Sequence, residues 1–254
     1  MLRRRWMIAV AVPAAFLLVC LCASAQVSQQ DLERLKPTTS EVMLSVPSGT
    51  MLQGKGLGAW LDGMGPGGAT GSVRGFGGGK KTEGQKFFTL GGLYTALLIQ
   101  VRSSSTLDAA GGVDSFREAL TKLNAPEGFF SYLSELELMI KSQVAGPEAA
   151  GRIAGAMQGF LADFVRSRGD AAYAHYQAGR WVTSLALAAK AQDASGLQLG
   201  AAAYFRERLG RADTPEGARQ ALEELEKLGG KPALTEAEYA RIEVLAKKLR
   251  AELG

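Results

Sequence analysis

The sequence predicts an all-α protein of roughly seven to nine helices, arranged as stacked helical hairpins or as a bundle, behind a glycine-rich N-terminal loop region. Two observations support this class. Apolar residues recur at helical spacing through most of residues 86–254, whereas no segment has the period-two alternation of a strand. Short breaks that contain Gly, Pro or Asn separate these apolar stretches, as expected for helices joined by short turns.

The N-terminus has the three parts of a secretory signal peptide. Arg3–Arg5 form a basic region, an apolar stretch follows, and Ala23–Ala25 is a small-residue cleavage site. We therefore expect residues 1–25 to be removed, so that the protein is exported and is periplasmic or secreted. Retention as a membrane anchor is the alternative, although the apolar stretch is short for a span and contains Pro13.

Removal of this segment limits the chemistry of the mature chain. The net charge falls from +4 to +1 because three arginines leave, so the charge balance gives no case for nucleic-acid binding. Both cysteines leave as well, and His175 is the one histidine. A zinc site of the usual type needs several Cys or His ligands, which one histidine cannot supply. A Ser-His-Asp triad would have to use His175, and the chain has no G-x-S-x-G motif for the nucleophile. The sequence therefore predicts no catalytic, cofactor-binding or metal-binding residues.

Residues 26–85 are polar and then glycine-rich, and we expect most of this segment to be irregular. Half of the 32 glycines lie between Gly49 and Gly92. The G-x-G-x-x-G pattern at Gly63–Gly68 continues into Pro and Gly rather than opening a helix, which argues against a dinucleotide site. Five basic residues in or beside this segment are candidates for contact with an anionic surface: Lys55, Arg74, Lys80, Lys81 and Lys86.

Residues 86–254 are expected to form a single helical domain. The first helix is Phe87–Val101, a mostly apolar stretch of 15 residues that suits a buried core helix better than a membrane span. A second helix is expected from Asp114, as its N-cap, to Leu123, and a third begins near Pro126.

Residues 147–254 are a candidate repeat-like part of this domain. Glu148–Arg168 carries an apolar face that includes Phe160, and Asp170 is the expected N-cap of the next helix. The remaining elements are a helix over Leu197–Leu209, a start at Thr214–Glu216 with Pro at the first helical position, and a capping box at Thr235–Glu238.

The stretch Gly169–Arg208 holds the histidine and three of the six tyrosines. Ala178, Trp181 and Leu185 fall on one helical stripe, which predicts that Trp181 is buried, whereas we expect His175 to be partly exposed. Five residues of this stretch are the candidates for binding a partner: Tyr173, His175, Tyr176, Arg180 and Trp181.

Tyr176–Trp181, followed by Ser184, Leu185 and Ala188, resembles the turn and second helix of a tetratricopeptide repeat. In that family a Gly-x-aromatic turn joins two antiparallel helices, so the resemblance implies a turn at Gly179. One period of about 34 residues later, Asp213–Pro215 stands where the next Gly-x-aromatic would be, so the resemblance is limited to about 20 residues.

These features favour an exported, non-enzymatic helical protein that binds another protein and serves as a binding or scaffold module of a bacterial-type cell envelope. A peripheral membrane-associating protein that uses the glycine-rich segment and Phe87–Val101 is one alternative. The other is a carboxylate-dependent enzyme, although Glu135 and Glu137 face different ways on a helix. No nucleic-acid partner is expected, membrane contact is the less favoured interaction, and the sequence leaves the protein partner and the oligomeric state open.

Overall fold

The computed structural model describes residues 81–254, except for 103–105, 143–146 and 211–213. Over these ranges it contains no strand, eight helices of at least eight residues and one single-turn helix, so the all-α class is confirmed. The predicted signal peptide and the glycine-rich segment up to residue 80 lie outside the described residues.

Nine helical elements follow one another along the described chain, and the sixth is the single turn. They are α1 Glu83–Arg102, α2 Thr106–Lys122, α3 Gly128–Ser142, α4 Pro147–Arg166, α5 Asp170–Lys190, α6 Ala194–Leu197, α7 Ala201–Arg208, α8 Glu216–Gly229 and α9 Glu236–Leu253.

Helices α1 and α5 form the central pair, because both contribute to two apolar cores. Phe87 and Tyr94 of α1 belong to the first core, which α2, α3 and α4 complete. Phe88 and Ile99 of α1 belong to the second core, which contains most of α5 together with α6 to α9. A helix covered on several sides is apolar around most of its circumference, which explains the composition of α1. Among the helices of the described ranges, none combines the length and the hydrophobicity that a transmembrane span requires.

Glycines allow the main chains of α1 and α5 to approach closely. A Cβ atom on Gly179 would lie 2.8 Å from the carbonyl carbon of Phe88, and one on Gly91 would lie 2.9 Å from the carbonyl carbon of Tyr176. Real Cβ atoms do not approach main-chain atoms so closely. Both positions therefore require glycine, although glycine is a poor helix former.

The two central helices run in the same direction where they meet. A Cβ on Gly84 would meet the ring of His175, and one on Gly92 would meet the Thr183 hydroxyl, so the contacts advance along both helices in the same direction.

The turn that the tetratricopeptide resemblance implies at Gly179 is wrong, because α5 continues unbroken through this position. Gly179 lies inside α5 and provides space for α1, rather than joining two antiparallel helices.

The predicted N-cap at Asp114 is also wrong, because α2 begins at Thr106 and Asp114 lies within it. Two glycines precede Asp114, and a local interpretation of the sequence treats them as a helix break. A Cβ on Gly112 would lie 3.1 Å from Gln100 Cδ and 3.4 Å from Leu97 Cδ1 of α1. Gly112 therefore lets α2 pack against α1.

Three other helix ends differ from the expectation. Gln198 has the left-handed conformation (φ 48°) and separates α6 from α7, so Leu197–Leu209 is not one helix. Gly169, with φ 107°, is the N-cap of α5, and Asp170 is its first helical residue. Pro215 is the N-cap of α8 and not its first helical residue.

The capping box at the start of α9 is confirmed. The Glu238 amide donates to the Thr235 hydroxyl at 3.4 Å, and the Thr235 amide donates to the Glu238 carboxylate at 2.7 Å. Ile242, Leu245 and Leu249 are then buried, as the helical spacing predicts. This end of the domain follows its local sequence signals closely.

Candidate functional site

Four of the five residues predicted to contact a partner lie in the interior. The exposed fractions are 0 % for Tyr176, 1 % for Trp181, 6 % for Arg180 and 8 % for His175. The expectation of a partly exposed His175 is wrong, because the ring is packed against Gly84 of α1. These side chains form part of the core, and they present no surface to a docking protein.

Trp181 anchors α6 and α7 on α5. Its indole ring stacks on Phe205 of α7, with the ring centroids 5.2 Å apart. The indole N–H donates to the main-chain oxygen of Leu197 at 3.4 Å. The predicted burial of Trp181 is confirmed, and its contacts assign it to packing.

Arg180 is a buried cation between two tyrosine rings. Its guanidinium carbon lies 5.7 Å from the Tyr94 ring centre and 5.8 Å from the Tyr176 ring centre. Nη1 donates to the Gln177 side chain at 3.2 Å, whereas Nε of Arg180 and the Tyr176 hydroxyl are buried with no hydrogen-bond partner among the described residues. Burial raises the pKa of Tyr176 to about 12, so the phenol is neutral at physiological pH.

Tyr173 lies at the edge of this cluster and connects α4 to α5. Its hydroxyl accepts a hydrogen bond from Arg166 at 2.9 Å and one from Gln177 at 2.8 Å. The Arg166 guanidinium also lies 4.5 Å from the centre of the Tyr173 ring. This polar cluster consists of cations, phenols and an amide, a composition suited to joining two helices.

His175 makes main-chain contacts. Nδ1 lies 2.8 Å from the Ala171 carbonyl oxygen, which can only accept, so Nδ1 carries the proton. Nε2 points toward Gly84. Both contacts fit a histidine that fills space between α1 and α5.

Two of the five basic residues predicted to contact an anionic surface lie in the described ranges. Lys81 donates to the main-chain oxygen of Gly254 and to the Thr89 hydroxyl, the latter at 3.5 Å. Burial and the nearby charge of Arg250 lower the pKa of Lys81. Lys81 therefore connects the end of α9 to α1, and Lys86 is half-buried. The other three, Lys55, Arg74 and Lys80, lie outside the described residues.

Two carboxylates, Glu137 of α3 and Glu224 of α8, are held by cations. Glu137 accepts from Lys141 and, at 2.7 Å, from Arg117, and these bonds lower its pKa to about 2. Glu224 accepts two hydrogen bonds from Arg241, at 2.6 and 2.7 Å. Both carboxylates are therefore stabilised as anions. Among the described residues, no group of three or more His, Cys, Asp or Glu side chains could hold a metal ion.

The outer face of α4 is the surface feature that the sequence reasoning missed. Phe160 was expected on the apolar face, but its side chain is 53 % exposed, because Met157, Leu161 and Phe164 already form the buried stripe. Its ring packs on Tyr132 of α3, with the centroids 5.6 Å apart. We define the outer face of α4 as Arg152, Gly155, Ala156, Gly159, Phe160 and Asp163, residues that lie on one side of the helix and are exposed or half-exposed.

Two glycines make this face low and open. A Cβ on Gly155 or Gly159 would meet no other atom within 4 Å, unlike one on Gly179. Nothing within the described domain therefore explains glycine at these two helical positions. Their sequence signal is the run Gly151, Gly155 and Gly159, in which every fourth residue is glycine.

Comparison of the chain with protein-family models, with curated proteins and with solved structures gives no match. Its function therefore has to be inferred from its own residues. Two features stand out: the aromatic cluster of α5 lies in the interior, whereas the outer face of α4 exposes Phe160.

Proposed function

We propose that this chain is an exported, non-enzymatic helical protein. It binds another protein and serves as a binding or scaffold module of a bacterial-type cell envelope. The contact surface is the outer face of α4. The observation that carries the proposal is the position of Phe160, which is 53 % exposed although a fully buried stripe is available on the same helix. Aromatic side chains are enriched in the cores of protein–protein interfaces relative to the rest of the surface.

The fixed position of the Phe160 ring also supports a role in protein contact. Phe160 is held against Tyr132, so its ring occupies a defined position before any partner binds. A side chain that is already ordered loses less conformational entropy on binding. Gly155 and Gly159 leave room beside the ring for a helix or loop to approach.

Export and the absence of enzymatic activity are supported by other features. The N-terminal sequence has the basic, apolar and small-residue parts of a signal peptide. The cation-bound states of Glu137 and Glu224 argue against the carboxylate-dependent enzyme, because a general acid needs a raised pKa. The membrane-associating alternative loses support because Phe87, Leu90 and the other large apolar residues of α1 are packed in the two cores.

A matched pair of substitutions tests the contact surface. Phe160→Asp places a charge on the outer face of α4, whereas Val244→Asp changes a residue of nearly equal exposure, 52 %, on α9. Association of the exported protein with other protein is measured by quantitative cross-linking in envelope or culture-medium fractions. We expect Phe160→Asp to weaken association about 30-fold, which corresponds to a contact of about 2 kcal/mol, and Val244→Asp to leave it unchanged. Equal behaviour of the two folded variants would contradict the proposed surface.

A further inference from the structure

We infer that the protein bound by the outer face of α4 is a second copy of this chain, with its α4 helix antiparallel to the first. This inference rests on the proposed function, because it identifies the partner of the same surface. It follows from the order of charged, small and aromatic residues along the face, which is complementary to itself when the helix direction is reversed.

The charges at the two ends determine the direction. Arg152 lies near one end of the face and Asp163 near the other, and both are exposed. Asp163 also lies 3.7 Å from Arg166 of its own helix, a distance and exposure that leave its carboxylate accessible to a second cation. A symmetric parallel pair would bring Arg152 close to Arg152 and Asp163 close to Asp163. A symmetric antiparallel pair can instead bring each Arg152 opposite the Asp163 of the other copy, so that two ion pairs replace two repulsions.

The same register brings the small residues to the centre. When Arg152 is opposite the second copy's Asp163, Ala156 is opposite its Gly159, and the converse contact follows by symmetry. Neither residue has a side chain larger than a methyl group, and the space above Gly159 is open. The two helix axes can therefore come close together, as they do where glycines allow the contact of α1 with α5.

Phe160 then has a contact on the other molecule. In this register it lies one residue beyond the level of the second copy's Ala156, on the same side of the paired helices. Its ring can therefore cover that alanine while it keeps its contact with Tyr132. The arrangement buries the exposed part of both Phe160 rings, which supplies an apolar contribution to association.

A charge-swap cycle tests the antiparallel dimer. The full-length chain and its Asp163→Lys, Arg152→Glu and doubly substituted forms are compared by sedimentation equilibrium, and thermal melting verifies that each variant is folded. We expect each single change to weaken dimerisation about tenfold, because it places like charges opposite each other in both symmetric pairs. The double change restores opposite charges and should return the association constant to within about threefold of the original value.

Two results would overturn this inference. One is a chain that stays monomeric up to about 1 mM, a concentration at which even weak association is populated. The other is a dimer whose association constant does not recover in the double variant, which would exclude the antiparallel register. In either case the proposed function survives if Phe160→Asp, but not Val244→Asp, still reduces cross-linking to other proteins, so the two failures are distinguishable.

Discussion

The carbonyl group of Phe88 occupies the space that a side chain on Gly179 would need. A Cβ on Gly179 would lie 2.8 Å from the Phe88 carbonyl carbon and 3.1 Å from the Gly92 nitrogen. The central helices α1 and α5 therefore touch through their main chains, where Cα–H groups and carbonyl oxygens can make weak hydrogen bonds. Because both cores are built on this pair, the contact positions the α2–α4 layer relative to α6–α9.

Gly179→Ala should destabilise the domain strongly. The added methyl group has to push α1 away from α5, and overpacking of this kind lowers the free energy of unfolding by about 1–3 kcal/mol or more. The control is Gly111→Ala in α2, where a Cβ would meet no atom within 4 Å. This change should raise the free energy of unfolding by about 0.5–1 kcal/mol, because alanine is the better helix former. Urea denaturation measures both effects, and a Gly179→Ala variant as stable as the original chain would contradict the close contact.

Tyr176→Phe and Tyr94→Phe should change stability in opposite directions. The Tyr176 hydroxyl is buried without a partner, whereas the Tyr94 hydroxyl donates to the Ala154 main-chain oxygen at 2.8 Å. Removal of the first hydroxyl should raise the free energy of unfolding by about 1 kcal/mol, and removal of the second should lower it by about the same amount. Thermal and urea denaturation of the two variants measure the difference, and changes of the same sign would argue against this assignment of partners.

Tyr176 should also contribute to unfolding at alkaline pH. Burial raises its pKa from 10.0 to about 12, so the unfolded chain loses this proton more readily than the folded chain. The corresponding stability is complete below pH 10 and is lost as the pH rises toward 12. A weaker decline of stability in Tyr176→Phe over this range, measured by urea denaturation, would agree with a neutral buried phenol, and an identical decline would contradict it.

Protonation of Glu137 should lower the stability of the fold at acidic pH. Hydrogen bonds from Lys141 and Arg117 lower its pKa from 4.5 to about 2. A carboxylate with a depressed folded-state pKa stabilises the fold above its unfolded pKa, so this contribution is lost as the pH falls from 4.5 toward 2. Glu137→Gln should reduce the change in melting temperature over this interval, with Glu135→Gln on the same helix as the control. Equal pH profiles for the two variants would count against the ion pairs of Glu137.

The sequence predicted the fold class and the elements with strong local signals. The capping box at Thr235 and Glu238 and the buried stripe of α9 depend on residues close in sequence, so they can be recognised without tertiary information. The same is true of the turn that follows α2, in which Asn124 adopts a positive φ of 51°.

Glycines inside helices were the main source of error. Gly179 and Gly112 are unfavourable for a helix by propensity, and the sequence reasoning interpreted their neighbourhoods as a turn and as a helix start. Their role is visible only when α1 is in place, because the contacts of both glycines come from residues far away in the chain. The burial of His175 was missed for a related reason. Helix α5 is covered on several sides, so residues outside its one apolar stripe are buried as well.

The candidate surface was missed because a favourable spacing was taken for burial. Phe160 has helical spacing to Met157 and Phe164, but it lies about 100° around the helix from Leu161, so it falls at the edge of the buried stripe. The glycine repeat Gly151, Gly155 and Gly159 was the signal that could have indicated an exposed contact face. The spacing alone does not show whether such a face is covered within the chain or by another molecule.

Hydroxyl-radical footprinting of the native chain, read by mass spectrometry, tests the central claim most directly, because it measures the accessibility of each aromatic side chain in solution. The claim is that α5 carries a buried aromatic cluster while α4 carries the open contact face. We expect rapid oxidation of Phe160, protection of Tyr176, Trp181 and Phe205, and a fall in Phe160 oxidation as the protein concentration rises. Rapid oxidation of Trp181 and Tyr176 in the folded protein, with Phe160 protected at every concentration, would contradict the account.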